Sequence, residues 1–203
     1  LKSQLHCMTL SATPIPRTLY SALTGVKTMS LIQTPPQDRL PIKSFIAAKD
    51  KQLIKDAIQT ELNRDGQVFY IHNRVETIYK EADKLQKMLP EAKVVVAHGQ
   101  LTAKEIEDSF HKFKEKEADI LVATTLVESG IDIPLANTIL VDQAQNYGLA
   151  DLYQLRGRVG RWNRPAYAYF LVSQNRALQE IASKRLQALL DSSSYGGGMR
   201  IAM

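Results

Sequence analysis

The segment Val68-Phe69-Tyr70-Ile71-His72-Asn73-Arg74-Val75 decides the architecture. Its first half is apolar and β-favouring without alternation, the pattern of a strand covered on both faces. Polar residues follow at once. From Val75 the apolar positions recur at helical spacing to Leu89, where Pro90 closes the run. A doubly covered strand that feeds straight into an amphipathic helix is one βα unit, and similar units lie on either side.

Upstream, Ile42 to Ala47 reads as a strand and Asp50 to Asn63 as a helix. Asp50 suits its N-cap, Leu53, Ile54, Ala57, Ile58 and Leu62 form its apolar face, and Asp65-Gly66 stops it. Downstream, Val94 to Ala97 is a strand, and Thr102 with Glu105 makes a capping box at the start of the next helix. Ile120 to Ala123 and Thr138 to Val141 read as short strands. A helix near Ala150 to Arg156, a strand from Tyr167 to Val172 and a helix from Asn175 to Leu190 complete the series. Short apolar strands alternating with amphipathic helices predict an α/β fold: a mostly parallel sheet with helices on both faces and ligands at the carboxyl ends of the strands.

The chain before Pro41 has a different character. Leu5 to Leu10 is strand-like, Pro16 opens a short helical pattern through Leu19, Leu23 and Val26, and Met29 to Ile32 suggests another strand. Pro35 and Pro36, within Thr34 to Arg39, block both helix and ladder pairing and read as a linker. Residues Asp191 to Gly198 form a Ser- and Gly-rich stretch. With a strand-like run so near the start and an abrupt finish at Met203, the chain is expected to be part of a larger protein.

Across its 203 residues the apolar share is 44%, enough for a sizeable core, so disorder is excluded. The net charge of +5 favours a polyanionic partner without naming one. Cys7 is the only cysteine, so no internal disulfide forms; it suits a core position and a reducing cytoplasm. No apolar run reaches a membrane span of about 18 to 20 residues. His72 and His98 could suggest metal or acid-base chemistry, but the pattern supplies neither a third ligand nor a partnered nucleophile. No metal site is expected.

Chemistry concentrates in a few segments. Gln154-Leu155-Arg156-Gly157-Arg158-Val159-Gly160-Arg161 sets two guanidinium forks, Arg158 and Arg161, where both can meet one phosphate, with Gly157 and Gly160 keeping the backbone free of bulk. Alone, the same residues would describe a solvated basic helix end. In Ile120 to Pro134 a strand breaks into a loop bearing hydroxyls and a carboxylate. Thr124 stands at that strand's end, where a hydroxyl can donate to a phosphate without reading a base. Thr125, Glu128 and Ser129 fit either a contact or a helix cap.

Taken together, these segments resemble the motifs of superfamily two helicases. Thr9-Leu10-Ser11-Ala12-Thr13-Pro14 looks like motif III, Val68 to Val75 like motif IV, and Ala97-His98-Gly99-Gln100-Leu101 like the strand-end element after it. Ile120 to Pro134 resembles motif V, and Gln154 to Arg161 motif VI. The continuation Ile15-Pro16-Arg17-Thr18-Leu19 is similar to a narrower group, the RecG-like translocases and transcription-repair coupling factors. Gly148 to Tyr153 and the closing Gly-Gly-Gly-Met-Arg-Ile-Ala-Met look like the coupling-factor branch, whereas Trp162-Asn163 departs from the usual choice.

The resemblance implies a three-layer RecA-like fold. Residues 1–33 would end a first RecA-like lobe, 34–40 link, 41–175 form the second lobe, and 176–203 begin a translocation hairpin. It also implies roles. Arg158 and Arg161 act as arginine fingers with Gln154 beside them, and Gly130, Asp132 and Gly157 lie near the nucleotide. Asn73, Arg74, His98, Gln100, Thr124 and Thr125 contact DNA, while Ser11, Thr13 and Arg17 couple the lobes.

The sequence contains no Gly-x-x-x-x-Gly-Lys-Ser/Thr loop to cradle phosphates and no Asp-Glu pair after an apolar strand. ATP and magnesium are therefore expected in the intact protein, on the first lobe, and this chain alone should be inactive. The implied activity is ATP-driven movement on double-stranded DNA, displacing stalled RNA polymerase and recruiting excision-repair proteins through other domains. Two other readings fit the same residues: a RecG-like fork-remodelling helicase, and a nonenzymatic nucleic-acid-binding lobe.

Overall fold

The computed structural model describes residue 30 and residues 40–124, 133–160, 164–173 and 186–190. Among the expected positions, Cys7, Ser11, Thr13, Arg17, Thr125, Gly130, Asp132 and Arg161 lie outside the described residues. So do the motif III segment and the 34–39 linker.

The apolar runs become six strands of one sheet: β1 (Lys43–Ala48), β2 (Gln67–Ile71), β3 (Val94–Ala97), β4 (Ile120–Ala123), β5 (Ala136–Val141) and β6 (Tyr167–Val172). Their order is β1-β6-β5-β2-β4-β3, and every pairing is parallel. Four helices alternate with them: α1 (Lys51–Leu62), α2 (Val75–Met88), α3 (Ala103–Lys114) and α4 (Leu149–Arg156). β2 lies between β5 and β4, with chain connections leading to both sides of it.

Strand residues alternate between two cores, as a pleat with helices on both faces requires. Val68, Tyr70, Ile120, Val122, Leu140 and Leu171 pack with Ile54 and Ile58 of α1 and Ile78 and Leu85 of α2. On the other face, Phe69, Ile71, Leu121, Ile139 and Phe170 pack with Phe110 and Phe113 of α3 and Leu152 and Leu155 of α4. Each large side chain so buried contributes about 1.5–3 kcal/mol of hydrophobic stabilisation.

The caps follow the sequence. Asp50 accepts from the Leu53 amide at 2.9 Å, and Thr102 and Glu105 close a reciprocal capping box. β5 begins earlier than its apolar run because Ala136 pairs with Gln67, and buried Asn137 donates to Pro134 O at 3.1 Å. Gln67, fully buried, ties β2 to α3 by donating from Nε2 to Phe113 O at 2.5 Å and Ala118 O at 2.7 Å. On the other face Glu61 of α1 is buried, its Oε2 accepting from Arg64 and Thr138. No described helix is long and apolar enough to cross a membrane.

Candidate functional site

Where each inner strand ends, the next residue is polar. The register pairs Ile71 with Val141 and with Ala123, and Ala123 with Ala97. Asp142, His72, Thr124 and His98 therefore stand side by side across β5, β2, β4 and β3, one position past the strands, on the face that α2 covers. Adjacent strands are about 4.8 Å apart, so this is a continuous polar row. All four residues are buried.

The row is bonded upward into α2. His72 Nδ1 lies 2.8 Å from Asp142 Oδ2, and its Nε2 lies 2.7 Å from Thr77 Oγ1. A carboxylate can only accept, so Nδ1–H donates to Asp142, while Nε2 meets the Thr77 hydroxyl. Lys49, just beyond β1, donates to Asp142 Oδ2 at 2.9 Å and to Glu81 Oε2 at 3.2 Å. Burial opposes ionisation of Asp142, but the hydrogen bonds from His72 and Lys49 outweigh it and hold its carboxyl below the ordinary value. The same contest at Glu81, burial against Lys84 and Lys49, also ends with a lowered pKa.

His98 is turned inward as well. Its Nε2 meets Tyr79 Oη at 3.0 Å, its ring stands edge-on to Tyr79, and its Nδ1 accepts from the Gln100 amide at 3.3 Å. Both histidines thus use both ring nitrogens within the protein. Among the described residues no group of His, Cys, Asp and Glu is arranged to hold a metal.

Above the row, Asn73, Arg74 and Gln100 are exposed. Asn73 and Arg74 lead into α2, whose N-cap, Arg74, makes no side-chain cap bond. The positive end of a helix with two polar side chains beside it suits an anionic backbone. Thr124 Oγ1 and Asp142 Oδ1 are buried with no hydrogen-bond partner among the described residues.

The motif VI segment occupies the opposite rim. α4 starts after β5, at the carboxyl edge, and crosses toward the start of β6. Gln154 is half-buried along it, Gly157 is its C-cap, and Arg158, half-buried, closes the turn by donating its amide to Leu155 O at 3.0 Å. Gly160 follows with φ +73, packed so closely that a Cβ would lie 2.8 Å from Ile42 Cγ1 and 3.1 Å from Ala166 Cβ. Ile42 and Ala166 immediately precede β1 and β6, so this turn sits at the amino ends of those strands. Arg156 is structural: its buried guanidinium donates to Leu189 O at 2.7 Å and covers the Tyr153 ring.

Sequence reasoning brought Asn73, Arg74, His98, Gln100 and Thr124 to one edge, and the structure has them there. It passed over Lys49, Thr77 and Asp142. Asp142 had a legible signal, being the polar residue that directly ends an apolar strand, as His72, His98 and Thr124 do.

A family model, the Helicase conserved C-terminal domain, matches residues 49–163. The chain belongs to that family: it carries a helicase C-terminal, RecA-like lobe. It is further similar to transcription-repair-coupling factor of Staphylococcus haemolyticus, with 47% identity over all of this chain and 17% of the relative. The coupling factor of Staphylococcus aureus strain USA300 matches at the same 47%. The chain thus spans only 17% of the length of these relatives. Among solved structures, RecG bound to a three-way DNA junction aligns with a TM-score of 0.78 and 32% identity, covering 94% of this chain and 25% of that one. Yeast Dbp5 bound to RNA and ADP BeF3 shares the fold at a TM-score of 0.62 and 21% identity, over 89% of this chain and 47% of that one.

Proposed function

We propose that this chain supplies the second motor lobe of an ATP-dependent double-stranded DNA translocase acting in transcription-coupled excision repair. The observation that carries the reading is the division of the sheet into two chemically distinct rims. The carboxyl rim presents exposed Asn73, Arg74 and Gln100 at the open end of α2, with the Thr124 hydroxyl below. These groups donate without reading bases, as a motor that moves along any sequence requires. The amino rim carries Arg158, followed in sequence by Arg161.

The donor set fits a nucleotide. Arg158 and Arg161 would hold the γ-phosphate, Gly157, Gly130 and Asp132 would lie near the nucleotide, and Gln154 would act with the arginines. ATP with magnesium, when bound to the first lobe, supplies the phosphoryl group whose hydrolysis drives movement. The residues of this chain contribute fixed positive charge, which such arginines supply at about 10³ to 10⁵ in turnover. Thr125 completes the DNA-facing set, His98 supports it from below with both ring nitrogens bonded inside the lobe, and Ser11, Thr13 and Arg17 couple the lobes. Residues 1–33 belong to the first lobe, 34–40 to the linker, 41–175 to this lobe and 176–203 to the start of the translocation hairpin. The partners are double-stranded DNA, the first lobe and, through other domains, RNA polymerase and excision-repair proteins, all in the cytoplasm. Alone, the chain is inactive.

The test uses the intact protein. Replacing Arg158 and Arg161 together by alanine is expected to cut DNA-stimulated ATP hydrolysis at least a hundredfold, and parental turnover would remove the arginine assignment. Binding to duplex DNA should weaken linearly in log Kd against log salt and ignore sequence. The likeness to RecG at a three-way junction favours a second reading, fork remodelling. Unwinding of forked DNA without release of a stalled polymerase would select it.

A further inference from the structure

Two groups of residues given roles above lie on opposite rims, and a chain of buried and part-buried polar contacts joins the elements that hold them. Thr77, in the first turn of α2, bonds His72; His72 bonds Asp142; Asp142 also holds Lys49, which reaches back to Glu81 on α2. Asp142 is where the chain leaves β5 and turns toward α4. The next residue, Gln143, sits in the left-handed region with φ 51 and ψ 47, unusual for a residue with a side chain. It opens a single 3-10 turn over Ala144–Asn146, stitched by Asn146 Nδ2 donating to Gln143 Oε1 at 3.0 Å. Buried Tyr147 and Gly148 then lead into α4.

α4 is short and well gripped. Leu152, Leu155 and Arg156 are buried along it, so its eight residues form a strut about 12 Å long. One end stands on the Asp142 turn and the other carries Gly157 and Arg158. A left-handed residue persists where its surroundings over-determine it. Here the surroundings are Asp142, anchored by its side chain and by its amide on Ile71 O at 2.9 Å, and the 3-10 turn with its buried Ala144.

We propose that Thr77, His72, Asp142 and Lys49 are positioning residues that lock the first turn of α2, with Asn73 and Arg74, to the turn that aims α4 and Arg158. A shift of the DNA-facing loop is thereby carried to the arginine rim as a rotation of one strut. This proposal rests on the motor reading for its purpose, but the mechanical link stands on the contacts alone. The functional role of His72 is orientation: its two nitrogens fix the distance between a helix and a strand end.

Thr77→Val removes the hydroxyl that reaches His72 and keeps the shape, whereas Thr77→Ser keeps the hydroxyl. Thr77 is only half-buried, so both variants should fold. Hydrogen exchange in the intact protein reads the link directly. In Thr77→Val, amides of residues 73–80 and also of 142–157 should exchange about tenfold faster or more, because the local opening they share is less costly. Thr77→Ser should stay within about twofold of the parent. The DNA-stimulated part of ATP turnover should fall about five- to tenfold in Thr77→Val, mainly through kcat rather than the KM for ATP. Faster exchange confined to 73–80, or a serine variant that behaves like the valine one, overturns the proposal. A parent protein whose ATPase ignores DNA would sink the motor reading while leaving the exchange result to decide the link.

Discussion

Gly160→Ala is the sharpest test of the turn that carries Arg158. With φ +73 the position lies where an L-residue costs about 1–2 kcal/mol, since its Cβ crowds the neighbouring carbonyl. The added Cβ would also stand 2.8 Å from Ile42 Cγ1 and 3.1 Å from Ala166 Cβ, both inside ordinary contact. Overpacking of that kind costs about 1–3 kcal/mol, so the total is about 2–5 kcal/mol. For a chain of this size that corresponds to a drop of roughly 5–15 °C in Tm. A thermal or urea melt measures it, and Ile42→Ala separates the two causes. Truncating Ile42 removes the nearest clashing atom, so the double variant should be about 1–2 kcal/mol less destabilised than the two single changes added together. The dihedral cost should remain. If Gly160→Ala melts with the parent, or if the two changes simply add, the reasoning about this turn is wrong.

Other expectations follow from polar side chains that bond the backbone or one another. Gln67→Leu removes the donor that serves Phe113 O and Ala118 O; Phe113 O keeps the Lys116 amide at 3.3 Å, whereas buried Ala118 O loses its donor, so unfolding free energy should fall by about 1–3 kcal/mol in a urea titration. Thr102→Ala opens the capping box of α3 at an exposed position and should cost only about 1 kcal/mol by the same measurement. The acids differ in sign. Burial raises the Glu61 pKa more than Arg64 and Thr138 lower it, so the folded chain holds a proton that the unfolded chain has released just above the usual carboxylate range. In that window stability rises as pH falls, and Glu61→Gln should remove that slope from a plot of denaturation midpoint against pH. Asp142, held below its ordinary value, contributes stability that is present above about pH 4 and lost as pH falls through its folded pKa. Asp142→Asn should therefore flatten the acid limb instead.

Much of this structure was readable because local rules and global packing agree. Val68 to Ile71 and Ile120 to Ala123 are apolar without a break since both of their faces are covered, and Asp50 and Thr102 cap the helices their chemistry predicts. β5 is longer than its apolar run, because Asn137 satisfies its amide locally on Pro134 and lets Ala136 join the ladder. Partnerships across long separations were not readable. His72 looked like a possible ligand from its type alone, and only the register that sets β2 beside β5 reveals Asp142 as its partner. Nor does spacing tell that the glycine and arginine turn lies by Ile42 and Ala166, at the end of the sheet opposite Asn73. That separation depends on the direction of α4, which residue type does not encode.

The pairing of β1 with β6 has a consequence for how the lobe is made. Lys43 meets Tyr167 and Ala48 meets Val172, so the earliest strand of the sheet has the latest as its ladder partner among the described residues. On a ribosome β2, β3, β4 and β5 can begin to zip together while the first strand waits with a bare flank. Such a flank is a template for pairing with another nascent chain. Vectorial synthesis therefore leaves this lobe most vulnerable to mispairing until Val172 clears the exit tunnel, and a premature stop before Tyr167 would make that vulnerability permanent.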